Sequence, residues 1–189
     1  MSEIGIGVIG GGYMGKAHSV AMSAVGAVFG TTLRPRLEMI AATSTESAEH
    51  YRQSYGFKCA TNDWRILVDD DRVEAVIIAS PQATHREIAE RALAAGKPVM
   101  CEKPMGASLV DSLAIVEAAE AAGVAGCVLA HSAAEGALVA CACGADALPR
   151  PLVQAYACMP RPTLAVPNWA CCCWCASFSP SRHMFPPRP

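Results

Sequence analysis

The sequence is short of net charge, of aromatic residues and of long apolar runs. Its formal net charge is −2, and 6% of its 189 residues are aromatic. A chain so balanced in charge has no field that would attract nucleic acid or an anionic membrane. Its weakly polar stretches are poor membrane spans, because Val20–Gly30 is too short and Gly123–Leu148 contains charged residues. The sequence also opens without the basic segment of a signal peptide, so we expect a cytoplasmic protein.

Residues 124–189 contain no lysine and differ from the rest of the chain in other ways. They hold eight of the ten cysteines, nine of the thirteen prolines and only six charged residues. Residues 1–123 hold the other 26 charged residues. A change of composition on this scale marks a boundary. We therefore predict one domain over residues 1–123 and consider residues 124–189 separately.

The first 123 residues alternate between apolar runs typical of buried strands and segments with helical spacing. This alternation predicts an α/β fold with a parallel sheet and crossover helices. The predicted strands are Ile4–Ile9, Leu37–Thr43, Phe57–Ala60, Val73–Ala79 and Pro98–Cys101. The predicted helices are Tyr13–Val28, Glu46–Tyr55, a short one from Asn62 or Asp63 toward Val68, one opened by a capping box at Thr84–Glu87, and Ser108–Gly123.

Three details of these elements follow from the same patterns. We expect a turn at Arg34–Arg36, before the second strand. We expect the fourth helix to bury Ile88, Ala89, Ala92 and Leu93. We expect the fifth helix to have Leu109, Leu113 and Val116 on one side.

A glycine-rich turn separates the first strand from the first helix. Gly10–Gly15 matches G-x-G-x-x-G, with Gly10 at the tight turn, Gly12 where backbone meets pyrophosphate, and Gly15 where helix packs on strand. The helix N-terminus offers free N–H groups and a positive dipole to the phosphates. A turn of this kind can also pack without binding anything. In this context, after a strand and before a helix, the turn predicts binding of NAD(H) or NADP(H). For the whole chain we predict a Rossmann-type parallel sheet with helices on both faces, followed by an incomplete or irregular Cys/Pro-rich C-terminal segment.

The end of the second strand bears on the choice of cofactor. NAD sites often place an acid there for the ribose 2′-hydroxyl, but here no acid lies among residues 41–45, before Glu46. Thr43 and Ser44 leave room for a 2′-phosphate, and Arg34 or Arg36 could fold over it. The residues thus favour NADP and leave NAD open. Thr43 and Ser44 could equally be a polar turn that caps the next helix.

Two further motifs follow later strands. Ser80–His85 comes after the fourth strand, and the run Cys101-Glu102-Lys103-Pro104 after the fifth. With Gly10–Gly15 before them, these motifs resemble those of the glucose–fructose oxidoreductase, inositol dehydrogenase and rhizopine-catabolism (Gfo/Idh/MocA) family over about residues 4–123. The resemblance implies hydride transfer between a nicotinamide and a sugar or cyclitol hydroxyl. It also implies a homo-oligomer, although the half that builds the family's interface is missing here.

The resemblance assigns roles to particular residues. Lys103 would be catalytic, as the group that polarises a substrate hydroxyl or carbonyl or exchanges a proton with it. The residues expected to contact the cofactor are Gly10, Gly12, Tyr13, Met14, Gly15, Thr43, Ser44, Ser80, Pro81, His85, Glu102 and Lys103. Simpler roles stay open for some of them: Lys103 as a surface lysine held by Glu102, and His85 as a helix-start residue. His18 is expected to be a packing or surface histidine.

Residues 124–189 do not continue the family pattern. The family's second half supplies an Asp and a His four apart on a helix, but here Cys127 precedes His131 and Ser179 precedes His183. We interpret the segment as a truncated or frame-shifted remnant of the substrate domain, with a genuine shortened domain as an alternative. A metal-binding tail is a third interpretation, with ligands drawn from His131, Cys141, Cys143, Cys172, Cys175 and His183. Because no second C-x-x-C follows, we predict no metal site.

The motifs therefore leave two functions open. One is an NAD(P)-dependent dehydrogenase that is catalytically incomplete as written. The other is a non-catalytic nucleotide-binding module, including a redox sensor that works through Cys101 and the later thiols.

Overall fold

One twisted sheet organises the residues that the computed structural model describes, which are 2–123, 126–129 and 139–142. Its strands are β1 (Ser2–Ile9), β2 (Leu33–Ala41), β3 (Cys59–Thr61), β4 (Ala75–Ile78), β5 (Val99–Glu102), β6 (Gly126–Leu129) and β7 (Val139–Ala142). They lie in the order β3-β2-β1-β4-β5-β6-β7, and all pairs are parallel except β6 with β7. The order reverses between β1 and β4, as it does in Rossmann folds.

The crossover helices are close to those predicted. They are α1 (Tyr13–Phe29), α2 (Thr45–Tyr55), α3 (Trp64–Asp69), α4 (His85–Ala94) and α5 (Leu109–Ala122). Asp63 caps α3, because its carboxylate accepts a hydrogen bond from the Arg65 N–H at 2.9 Å. Gly123 ends α5 with a φ of 63°, a conformation that favours glycine. None of the helices in the described part of the chain is long and apolar enough to cross a membrane.

Two apolar layers cover the two faces of the sheet. On one face Val8 and Ile77 pack in a cluster with Val25 of α1. On the other face Ile78 packs in a cluster with Ile88 of α4. Adjacent strand residues thus point to opposite layers, and each fully buried aliphatic side chain contributes about 1.5–3 kcal/mol. The expected Rossmann-type sheet with helices on both faces is confirmed, as is the buried stripe of α4.

Two local predictions were wrong. Arg34–Arg36 is not a turn, since β2 begins at Leu33 and pairs with β1 through Pro35. Thr84 does not form a capping box, because a 3₁₀ turn over Gln82–Thr84 leads directly into α4. The Thr84 hydroxyl instead donates to the Pro81 carbonyl at 2.8 Å.

The buried side of α5 is not the side that carries Leu109 and Leu113. Leu109 and Leu113 are exposed, whereas Ile115 and Ala119 are buried. Apolar residues occur on most sides of α5, so their spacing does not select a single face. The packing of α5 beside α4 determines which side of α5 is buried.

The sheet continues past Gly123. β6 pairs with β5 and β7 pairs with β6, so two short strands extend the sheet where no strand was predicted. The boundary at residue 123 stays a prediction. Most of the cysteines and prolines of residues 124–189 lie outside the described residues, as do the ligands considered for a metal-binding tail, apart from Cys141 in β7.

The packing of α3 allows a matched test of the core. Leu67 is fully buried and its neighbour Ile66 is 55% exposed. We expect Leu67→Ala to lower the free energy of unfolding by about 2–5 kcal/mol, because it removes a buried side chain and leaves a cavity. Ile66→Ala should change it by about 0.5 kcal/mol or less. Urea unfolding followed by far-UV circular dichroism measures both, and equal effects would contradict this account of the core.

Candidate functional site

The candidate site is the crevice at the carboxyl ends of β1 and β4, where the strand order reverses. Backbone hydrogen bonds join the end of β1 to the end of β2 on one side and to the residue after β4 on the other. The Gly10 N–H donates to the Ala41 carbonyl at 2.9 Å, and the Ala79 N–H donates to the Ile9 carbonyl at 2.8 Å. Open parallel sheets bind ligands at this point, because the loops that follow the two strands diverge and leave a gap.

At three positions of the turn, the surrounding protein leaves no room for a side chain, so glycine is needed there whether or not a ligand binds. Gly10 has a φ of 98°, and a Cβ there would lie 2.5 Å from the Ala79 carbonyl oxygen. A Cβ on Gly15 would overlap the Gly10 carbonyl oxygen. A Cβ on Gly11 would overlap the ring of Tyr51. These positions close the corner between β1 and α1, as the sequence predicts for Gly10 and Gly15.

Gly12 is different, because no atom of the described residues other than Gly11, Gly12 and Tyr13 lies within 4 Å of where its Cβ would be. Its φ of −65° is open to any residue, so neither packing nor conformation demands glycine there. Gly12 is also the N-cap of α1 without a side-chain cap, and the first turn of α1 has no acid. A helix start with free N–H groups and room above it fits a pyrophosphate.

The next two residues of the first turn, Tyr13 and Met14, are accessible to different extents. Tyr13 is 87% exposed and Met14 is half-buried. Tyr13 directly follows Gly12 and Met14 follows Tyr13, and the sequence predicts that both contact the cofactor. The dinucleotide predicted from the sequence therefore fits the residues present at the start of α1.

The end of β2 provides fewer hydrogen-bond donors and basic side chains for a 2′-phosphate than the sequence suggested. The Ser44 hydroxyl caps α2, accepting from the Ser47 N–H at 3.1 Å and donating to the Ser47 Oγ at 3.0 Å. Arg34 and Arg36 are both in β2, five or more residues before its carboxyl end at Ala41. At about 3.3 Å per residue the strand carries them away from the ribose end, so the idea that they fold over it was wrong.

His85 joins two of the predicted motifs. It is buried, with Nε2 at 2.8 Å from the Ser80 carbonyl oxygen and Nδ1 at 3.0 Å from the Pro104 carbonyl oxygen. Both partners are carbonyl oxygens, so each contact is a hydrogen bond when the ring nitrogen facing it carries the proton. His85 therefore ties the loop after β4 to the loop after β5. Pro81, beside Ser80, is exposed at the crevice.

Glu102 joins the end of β5 to α1. Its buried carboxylate meets His18 Nε2 at 2.7 Å through Oε1 and accepts the Lys103 N–H at 3.1 Å through Oε2. The Lys103 side chain is exposed, and the Lys103–Pro104 peptide bond is cis. The structure thus places Lys103 at the rim of the crevice, with its backbone held from behind by Glu102.

His18 and Tyr55 are the partners that sequence reasoning missed. His18 was expected to pack or to lie on the surface, and it does lie in the core, where it also bonds Glu102. Its spacing from Gly15 and Met22, which are buried on the same side of α1, was the available signal. Tyr55 was assigned only to the end of a helix, yet its hydroxyl donates to the Gly11 carbonyl at 2.7 Å.

Cys101 has the wrong surroundings for a redox sensor. The residue is 1% exposed, and burial, together with the nearby Glu102 charge, raises the pKa of its thiol to about 12. The thiolate is the reactive form, so a thiol that stays protonated reacts slowly. Cys59 is only half-buried.

Substitutions in the turn should separate binding from folding. We expect Gly12→Val to abolish measurable NADH binding, because its side chain would fill the space left for the pyrophosphate, while the thermal midpoint stays close to wild type. Gly15→Ala should lower both the NADH affinity and the thermal midpoint, since its Cβ would overlap the Gly10 carbonyl oxygen. NADH fluorescence and thermal unfolding measure the two properties. NADH affinity unchanged in Gly12→Val would show that the open space is not the phosphate site.

The cysteines make a second test. In the native chain at pH 8, iodoacetamide should label Cys59 well before Cys101, because burial keeps the Cys101 thiol protonated and shielded. Peptide mass spectrometry after timed quenching gives both rates from one sample. The denatured chain is the control, and there the two rates should converge. Equal rates in the native chain would restore Cys101 as a candidate sensor.

Comparison with known proteins agrees with this geometry. Residues 4–131 match the Gfo/Idh/MocA oxidoreductase family, NAD-binding Rossmann fold. Levoglucosan dehydrogenase of Pseudarthrobacter phenanthrenivorans is 40% identical over 119 residues, 62% of this chain and 30% of that protein. Inositol 2-dehydrogenase 2 of Saccharopolyspora erythraea is 35% identical over 117 residues, 60% of this chain and 32% of that protein. The chain thus spans about a third of the length of these relatives.

Solved structures show the same likeness. Levoglucosan dehydrogenase in complex with NADH and levoglucosan superposes with a TM-score of 0.64 at 36% identity, over 67% of this chain and 35% of that one. An NAD-binding oxidoreductase from Klebsiella pneumoniae gives a TM-score of 0.65 at 37% identity, over 67% and 34%. From the motifs, the sheet order and these matches, the chain belongs to the Gfo/Idh/MocA oxidoreductase family and carries its NAD-binding Rossmann fold.

Proposed function

We propose that this chain carries the cofactor half of a dehydrogenase that oxidises a hydroxyl of a sugar or cyclitol. The observation that carries the proposal is Lys103, exposed at the carboxyl end of β5 and held through its backbone by Glu102. A bound, oxidised nicotinamide would supply the acceptor for the hydride that leaves the substrate carbon. Lys103 Nζ hydrogen-bonds the substrate oxygen and takes part in moving its proton as the hydroxyl becomes a carbonyl.

Of the two cofactors, we propose NAD(H) as the one used. Arg34 and Arg36 are held at the other end of β2, and the Ser44 hydroxyl is engaged in capping α2. No basic side chain lies among Ala41–Thr45 to pair with a 2′-phosphate. Glu46, exposed in the first turn of α2, would repel a 2′-phosphate and accept a hydrogen bond from a 2′-hydroxyl. Levoglucosan dehydrogenase, a relative, was solved with NADH.

The substrate class follows from the relatives, whose names include levoglucosan and inositol dehydrogenases. A small polyhydroxylated molecule is therefore the proposed partner, and a homo-oligomer the proposed assembly. The sequence after Gly123 has no Asp four residues before a His. We expect the chain as written to bind cofactor more readily than it turns substrate over. A non-catalytic nucleotide-binding module is the second candidate, favoured by the same missing pair.

A variant of Lys103 tests the catalytic role. NADH and NADPH are titrated first, and oxidation of levoglucosan, inositols and monosaccharides is then followed by NADH formation. We expect Lys103→Met to lower turnover by about 10²–10⁴-fold, the usual contribution of an acid–base group, and to leave NADH affinity within about threefold. Lys58→Met is the matched control, because Lys58 pairs with Glu38 beside β3, away from the crevice.

The outcomes separate the candidates. Turnover that falls in Lys103→Met but not in Lys58→Met supports the dehydrogenase. Equal turnover in Lys103→Met and wild type would remove Lys103 from the chemistry. NADH binding by the wild-type chain with no turnover on any substrate would favour the non-catalytic module.

A further inference from the structure

The last turns of α2 lie against the phosphate-binding turn. The Tyr55 hydroxyl donates to the Gly11 carbonyl at 2.7 Å, across 44 residues of sequence. The ring of Tyr51 occupies the space where a Gly11 side chain would be. The two tyrosine rings stack on each other, with centroids 5.5 Å apart and planes at 21°. One helix therefore holds Gly11 both by a hydrogen bond and by contact.

The Tyr55 hydroxyl is in a suitable state to donate. Burial, together with the nearby Tyr51, raises the pKa of Tyr55 above the ordinary value of 10.0. The phenol therefore stays protonated over the range in which proteins work. Both rings pack against the apolar cluster that lies between the sheet and α1, so their positions are set by the core.

The geometry of the peptide bond carries this contact to the cofactor. A trans peptide is planar, and its C=O and the following N–H point in opposite directions. When Tyr55 holds the Gly11 carbonyl toward α2, the Gly12 N–H must point away from α2. Among the described residues, the Gly12 N–H has no acceptor. This N–H therefore belongs to Gly12, the residue of the turn beside which a Cβ would meet open space.

We propose that Tyr55, supported by Tyr51, is a positioning residue for the dinucleotide, because it fixes the Gly11–Gly12 peptide so that its N–H faces the pyrophosphate. Without the hydroxyl this peptide is free to rotate, and the N–H is no longer pre-aligned. The proposal rests on cofactor binding and not on hydride transfer, so it stands or falls separately from the role of Lys103.

Tyr55→Phe tests the hydroxyl alone, because it keeps the ring and its packing. We expect it to weaken binding of NADH and ADP by about five- to tenfold, the value of one hydrogen bond. Binding of adenosine, which has no phosphate, should stay within about twofold. NADH affinity is measured by fluorescence, and ADP and adenosine by competition against NADH. Ser54→Ala is the matched control, because it removes an exposed hydroxyl from the neighbouring position of α2.

A second variant pair tests the contact with Tyr51. Gly11→Ala should weaken NADH binding by more than tenfold, because its Cβ meets the Tyr51 ring. In the Tyr51→Ala background the same substitution should cost less than half as much on a logarithmic scale, since the space is then open. Thermal midpoints of all variants are recorded without ligand.

Two results would overturn the proposal. One is wild-type affinity of Tyr55→Phe for NADH and ADP. The other is an equal loss for adenosine and ADP, with a matching fall in the thermal midpoint, which would make Tyr55 a purely structural residue. Additive effects of Gly11→Ala and Tyr51→Ala would remove Tyr51 from the proposal and leave the hydroxyl of Tyr55 alone.

Discussion

The close approach of α1 to the end of β1 is the constraint on which the rest of the site depends. The backbone of Gly15 packs closely against the Gly10 carbonyl, and that of Gly10 packs closely against the Ala79 backbone after β4. Any side chain there would push α1 away from the sheet. With α1 this near, its free N–H groups open onto the crevice at the reversal of strand order. The glycines of the corner therefore serve packing, and Gly12 alone is left with open space.

Three side chains form hydrogen bonds that hold the loops around that corner together. Glu102 joins α1 to Lys103, His85 joins the loops after β4 and β5, and Tyr55 joins α2 to the glycine turn. Each uses a buried or half-buried polar group, which would be unfavourable without a partner. Loops are otherwise the mobile part of a fold. These contacts hold the crevice loops together without a ligand, which would lower the ordering cost of binding a cofactor there.

Basic side chains gather around the buried carboxylate of Glu38 in β2. Buried Glu38 pairs with Arg36, and Lys58 and Arg72 lie 3.6 and 3.8 Å from its carboxylate. A buried carboxylate needs nearby cations, because desolvation of an unpaired charge costs several kcal/mol. The pairing keeps these basic residues away from the ribose end of the crevice. Lys103 then stands at the crevice rim as an exposed cation beside buried Glu102.

Much of the fold and the outline of the site could be predicted from the sequence. The order of strands and helices follows from local periodicity, and the phosphate turn from glycines at fixed spacing, so the predicted elements lie within a few residues of those observed. Lys103 could be predicted as a site residue because its motif is contiguous in the sequence. β6 and β7 were missed because short strands beside a glycine-rich segment have no clear period.

Periodicity could not decide which side of α5 is buried, because Ile115 and Leu109 are equally apolar and only packing beside α4 separates them. It could not place Arg34 and Arg36 within β2. The pairs His18–Glu102 and Tyr55–Gly11 are 84 and 44 residues apart, beyond any local pattern. The sequence by itself determined the α/β order and the glycine turn, since both arise from neighbouring residues. Only the tertiary structure decided which side chains hold that turn, because such contacts exist only once distant segments have packed together.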